Sequence, residues 1–213
     1  MSPLTPIQPA PTQPAPTQPA PTPPSPARWR CRWDTRLATP VPRLRPLRRD
    51  DDLAVDTVFA GLSAQSRYLR FHSPTPVLSA GTRRRLLDVD GRTHAALLAE
   101  LPTVAGWHPV GIARLIAHAP RQAELAVAVV DDRQGRGIGR RLVEGLGTLA
   151  AELGYAELFG DVLRENVRIV RLLRSAFPGA RLTWNDGTLR VSCRIDRPTG
   201  EITDEDILAD LLF

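Results

Sequence analysis

The stretch Asp131-Asp132-Arg133-Gln134-Gly135-Arg136-Gly137-Ile138-Gly139 decides how this chain is read. Before it, residues 123–130 form the apolar run AELAVAVV, whose valines suit a buried, central strand. After it, Ile138, Leu142, Leu146, Leu149 and Leu153 recur at steps of four and three, one apolar stripe opposite Arg140, Arg141, Glu144 and Glu152. A strand that turns through glycines straight into an amphipathic helix offers N-terminal amides and the positive end of the helix dipole to an anion. Glycine lets the backbone approach that anion closely. The stretch is therefore expected to bind phosphate. A Walker loop needs Gly-Lys-Ser/Thr, but all 28 basic residues here are arginine. The dinucleotide fingerprint needs Gly-x-Gly-x-x-Gly, whereas this loop reads Gly-x-Gly-x-Gly.

Upstream of the loop, residues 93–101 and 110–118 read as strands, separated by the breaker-rich residues 102–109. Three short helices precede them. Asp50, Asp51 and Asp52 supply N-caps for one reaching Leu62, Ser63 caps a second through Arg70, and residues 79–87 make a third. The first strand, Val41-Pro42-Arg43-Leu44-Arg45-Pro46, is confined to a sheet edge by its prolines. Downstream, Gly145 and Gly147 interrupt the helix at a cost of about 1 kcal/mol each unless they permit close packing. Gly154 ends it. A strand over residues 157–162, a helix over 166–175 and a hairpin turning at Asn185-Asp186-Gly187 finish the domain.

The chain has 213 residues, 42% of them hydrophobic and 24% charged, which fits one soluble domain with appendages. Residues 1–27 carry no charge and repeat Ala-Pro-Thr-Gln-Pro. They are expected to be a disordered, proline-rich tail, with a partner that reads such segments as the sharper alternative. Residues 28–38 contain the alternating Arg28-Trp29-Arg30-Cys31-Arg32-Trp33, a linker or an extra strand, and residues 196–213 form an acidic C-terminal tail. No run reaches the roughly 18 apolar residues of a membrane helix. The N-terminus lacks the basic and apolar regions of a secretory signal, so the expected location is the cytoplasm. Cys31 and Cys193 stand far apart, and neither they nor His72, His94, His108 and His118 show ligand spacing, so no metal is expected. The net charge of +5 suits a polyanionic ligand, while scattered arginines give no footprint for nucleic acid.

Gln134-x-x-Gly137-x-Gly139 and the order of elements over residues 39–195 resemble the GNAT superfamily of acyl-CoA-dependent N-acetyltransferases. Ser66-Arg67-Tyr68-Leu69-Arg70-Phe71 and Ala123-Glu124-Leu125-Ala126-Val127 look like the bacterial protein lysine acetyltransferases, whose targets include acyl-CoA synthetases. The resemblance implies an α/β (α+β) fold with a mixed, mostly antiparallel sheet flanked by helices. It implies acetyl-CoA as cosubstrate, its pyrophosphate wrapped by Gln134, Gly135, Arg136, Gly137, Ile138 and Gly139, with Arg140 adding charge. The strand carrying Val127 and Val129 would splay from its neighbour to admit the pantetheine arm, and Asn166 would bond that arm.

Transfer to an amine needs a neutral nucleophile, yet a lysine with a pKa of roughly 10.4 is almost wholly protonated at pH 7. Glu124, the carboxylate inside the apolar strand, is the candidate general base. Many family members protonate the departing thiolate with a tyrosine after the asparagine; counting along the helix puts Leu173 there. The acceptor is expected to be a protein lysine or a small amine, and a non-catalytic acyl-CoA sensor is the reading from another class.

Overall fold

The structure is a computed structural model and describes residues 40–185 and 187–195. The expected tail at 1–27, the segment 28–38, Asp186 of the last turn and the acidic residues 196–213 lie outside the described residues. Among the described residues, one sheet of 7 strands runs in the order β1-β2-β3-β4-β5-β7-β6. β1 (Arg43–Pro46), β2 (His94–Thr103), β3 (Gly106–Ala119) and β4 (Gln122–Val129) are successive antiparallel neighbours. β5 (Glu157–Leu163) joins β4 in parallel, and β7 (Thr188–Arg194) and β6 (Arg181–Asn185) follow it antiparallel. This is the mixed, mostly antiparallel sheet of the expected fold. β1 takes an edge because a strand closed by Pro46 cannot donate to neighbours on both sides.

Helices α1 (Asp52–Ala60), α2 (Ala64–Phe71) and α3 (Ala80–Leu87) pack on one face of the sheet. Helices α4 (Ile138–Glu152) and α5 (Val167–Ala176) lie on the other. The α4 stripe supplies the centre of the core: Leu142, Val143, Leu146 and Ala150 are all fully buried. Its two interior glycines are explained by contact. A Cβ at position 145 would stand 3.0 Å from Leu44 Cδ1, and one at 147 the same distance from a Phe177 ring carbon. The helix therefore lies closer to the sheet and to the end of α5 than alanine would allow.

Two expectations are corrected. Residues 102–109 are not a connection, since β2 and β3 pair as far as Thr103↔Gly106 and leave only Val104 and Ala105 to turn. Pro109 is accommodated beside a register shift at Ala99/Glu100, where the ladder is already irregular. Asp51 precedes α1, but its side chain does not cap the helix. It takes both arms of Arg45, at 2.7 and 2.8 Å, and the Arg48 amide at 2.7 Å. Arg45 also reaches Glu100, 5% exposed, which accepts from Arg43 at 2.6 Å. This chain of charges pins the edge strand and the start of α1 to β2, and the Arg45 guanidinium holds the Asp51 carboxyl below its usual range.

Candidate active site

The expected phosphate loop lies between the end of β4 and the start of α4. Gly135 and Gly137 adopt φ of +73° and +80°, a left-handed backbone that glycine accepts freely. A Cβ on either would meet nothing within 4 Å, so the space above them is open. Gly137 is the N-cap of α4 and no side chain caps the helix. The first helical hydrogen bond runs from the Arg141 amide to the Gly137 carbonyl, leaving the amides of Ile138, Gly139 and Arg140 ahead of it. An open concavity faced by free amides at a helix N-terminus suits a pyrophosphate. Gly139 serves packing, with a Cβ there only 3.2 Å from Leu172 Cδ2.

The side chains around the loop divide the work. Gln134 donates to the Val129 carbonyl (3.0 Å), Asp131 Oδ1 (3.1 Å) and Ser66 Oγ (3.4 Å), and accepts from Arg168 Nη1 (3.3 Å). Its own amide is committed to the Asp131 carbonyl, so Gln134 shapes the loop and ties it to α2. Ile138 gives its side chain to the core, at 2% exposure, and only its backbone to the cradle. Arg140 is paired with Glu144 at 2.7 Å, while Arg136 is exposed beside the loop. Arg168, on α5, is a cation at the loop that spacing along the chain did not reveal.

Beyond the loop the sheet forks. β4 and β5 pair at Gln122↔Glu157, Ala123↔Leu158 and Glu124↔Phe159, and then stop. β4 nevertheless continues on β3 to Val129↔Gly111, and β5 continues on β7 to Leu163↔Thr188. Their facing edges therefore part, leaving a wedge that opens toward the loop. Val127 and Val129 line it with their backbone, their half-buried side chains packed against the core. The expected splay is thus present in the register.

Glu124 stands at the vertex of this wedge, on the last paired rung, and is exposed. Alternation along the strands puts it on the face covered by α2 and α3, the face that also carries Arg114, Phe159 and Asp161. Asp161 binds Arg190 through both arms, at 2.9 and 2.8 Å, and that pairing lowers its pKa. His118 packs edge-on against the Phe159 ring, centroids 5.1 Å apart. Asn166 is the N-cap of α5: its Oδ1 accepts from the Ile169 amide at 3.3 Å, leaving only the Nδ2 hydrogens for a ligand. Leu173 is fully buried in the core. No acid is offered from that position, and a tyrosine there would have to repack the interior. Among the described residues no cluster of three potential metal ligands occurs.

The model of the acetyltransferase (GNAT) family matches residues 66–177. An acetyltransferase of Pseudomonas aeruginosa is 29% identical over 117 residues, 54% of this chain and 63% of that protein, so less than two thirds of the relative is spanned. The crystal structure of the GNAT domain of S. lividans PAT superposes with a TM-score of 0.65 at 29% identity, covering 72% of this chain and 90% of that one. A phosphinothricin acetyltransferase from Sinorhizobium meliloti, solved with AcCoA, shares the fold at 17% identity and a TM-score of 0.59, over 77% of this chain and 94% of its own. With its family model spanning the loop, the forked strands and α5, the chain belongs to the acetyltransferase (GNAT) family of acyl-CoA-dependent transferases.

Proposed function

We propose that this protein moves the acetyl group of acetyl-CoA to a protein lysine ε-amine in the cytoplasm, with Glu124 as general base. The observation that carries the reading is the position of Glu124 at the vertex of a wedge whose mouth is the glycine cradle. A thioester whose diphosphate lay in that cradle and whose arm followed the wedge would end beside this carboxylate. The sequence likeness of residues 66–71 and 123–127 to protein lysine acetyltransferases supports a lysine acceptor, and an acyl-CoA synthetase is the expected protein partner.

In this scheme Glu124 takes a proton from the acceptor ammonium, and the freed nitrogen attacks the thioester carbonyl carbon. An unpaired amide of β4 faces the oxygen on which charge develops. The C–S bond breaks, the nitrogen passes its remaining extra proton to water as the new amide forms on the acceptor, and the thiolate of CoA takes a proton from water, since Leu173 is in the core.

The test is turnover of purified protein, read as CoA release with lysine-containing proteins and with small amines as acceptors. Glu124→Gln keeps size and polarity but not basicity, and is expected to lower kcat by about 10²- to 10⁴-fold. The thermal shift produced by CoA should persist in the variant. Wild-type turnover by Glu124→Gln across roughly pH 6 to 9 would remove the base assignment. Release only with small amines would replace the lysine acceptor, and CoA binding without turnover on any amine would make the protein a sensor.

A further inference from the structure

A cleft opens at the end of the sheet away from the glycine loop, where β4 and β5 begin and β7 ends. Its walls carry Arg121, Gln122, Glu157, Arg181, Ser192 and Arg194. The ladders fix where it stands. Gln122 pairs with Glu157 and Glu157 with Arg194, so these three side chains form one row on one face of the sheet. The next row on that face is Glu124, Phe159, Ser192 and Arg181, again by direct pairing. The cleft therefore adjoins the vertex of the wedge. Its Gln122 row lies two residues along the strand from the Glu124 row, about 7 Å.

Three cations, Arg121, Arg181 and Arg194, line this cleft against one carboxylate, Glu157. Glu157 accepts from Gln122 Nε2 at 2.9 Å. The three arginines are exposed, and among the described residues none of them has an ion pair or a side-chain hydrogen bond. The next arginine on this face is balanced: Arg190 holds Asp161 with both arms and lies over the Phe159 ring at 4.4 Å. Positive charge is left over in the cleft and neutralised in the row beyond it.

Arg121 adds an independent observation. It carries the chain from β3 into β4 at φ +60°, a left-handed backbone that side chains avoid and glycine accepts. Its carbonyl accepts from the amides of Ala156 and Glu157, at 2.8 and 3.2 Å, which locks the turn to the start of β5. Glycine would serve that backbone better. What arginine adds is a guanidinium on the wall of the cleft.

A single exposed arginine without a partner is ordinary. Three around one cleft beside the vertex complement an anion. We propose that the cleft receives an acidic residue of the acceptor protein, about two positions from the lysine presented to Glu124, so that the substrate class is a lysine in an acidic context. The inference rests on the protein-lysine reading above. Two residues of an extended segment span about 7 Å and point to the same side, which matches the step between the Glu124 row and the Gln122 row. A small amine that fills only the vertex forgoes the contact.

The test is steady-state kinetics of the full chain on blocked single-lysine peptides that differ only in carrying Glu or Gln two positions before and after the lysine. An exposed ion pair is worth up to about fivefold in affinity, so the Glu peptide is expected to show a KM about five- to tenfold lower at low salt. The kcat values should be alike, because the contact is made equally in the ground and transition states. Screening at roughly 0.5 M salt should close the gap. Arg194→Gln and Arg121→Gly, the latter chosen because glycine accepts that φ, should each bring the KM of the Glu peptide toward that of the Gln peptide. Equal KM for the two peptides, or a gap that survives both variants or high salt, overturns this inference and leaves the lysine acceptor standing. Turnover of neither peptide overturns the lysine acceptor, and this inference with it.

Discussion

Gly137→Ala separates the cost of the left-handed backbone from the loss of the phosphate cradle. An alanine at φ +80° is strained, but its methyl meets no protein atom within 4 Å. The strain alone is about 1–2 kcal/mol, which for a chain of this size lowers Tm by roughly 2–8 °C. Wild-type protein with CoA at a hundredfold excess over Kd gains about 2.7 kcal/mol, or roughly 5–11 °C. The new methyl occupies the space a diphosphate would enter. If it weakens binding by about a hundredfold, the same CoA concentration sits at Kd and the gain drops to about 0.4 kcal/mol, roughly 1–2 °C. Gly154→Ala is the control, because it carries the same strain, φ +83°, with equally open surroundings at the far end of α4. By differential scanning fluorimetry both variants should melt lower without ligand, and only Gly154→Ala should keep the full CoA shift. A full shift in Gly137→Ala would refute the cradle.

Glu100→Ala removes the acceptor shared by Arg43 and Arg45; because both arginines are partly exposed, the loss by urea unfolding should be about 2 kcal/mol, below the 3–5 expected for a fully buried pair. The carboxyls of Asp51 and Asp161 titrate below their ordinary range because of their arginine partners. Their contribution is therefore present above the unfolded carboxylate pKa of about 3.9 and is lost as pH falls through the lower folded values; denaturation across acid pH should show a flatter decline in Asp51→Asn than in wild type. Gly81→Ala, on α3 with only Ser79 Oγ at 4.0 Å, should stabilise by roughly 0.5–1 kcal/mol, whereas Gly147→Ala should not, because of Phe177. Cys193 is fully buried and burial pushes its thiol up to about 12; in a Cys31→Ser background, a thiol reagent should label the protein only after denaturant is added.

Features written by local periodicity were legible in the chain. The α4 stripe, the Ser63 cap of α2 and the proline-bounded edge strand follow from spacing, capping chemistry and missing donors, and each stands where expected. Residues 102–109 misled because prolines and glycines there are absorbed by a bulge and a tight turn, features that depend on the partner strand. Asp51 misled because the nearby Arg45 outcompetes a helix amide for its carboxylate. At the site, the loop glycines were readable because motif and geometry are both local. The place of Arg168 was not, since it depends on a residue brought in from another element.

The fork between β4 and β5 also bears on how the molecule holds together. Among the described residues, the strands β1 to β4 and the strands β5 to β7 meet along the sheet through only the rungs at Gln122, Ala123 and Glu124, with α4 and α5 packed across the back. In mechanical terms these are two plates joined by a short hinge at one end and spread at the other. A ligand seated along the spread would act as a cross-brace, converting separate opening of the plates into a single cooperative event. On the proposed function, the gap that would admit the coenzyme would then also be the place where the empty fold yields first.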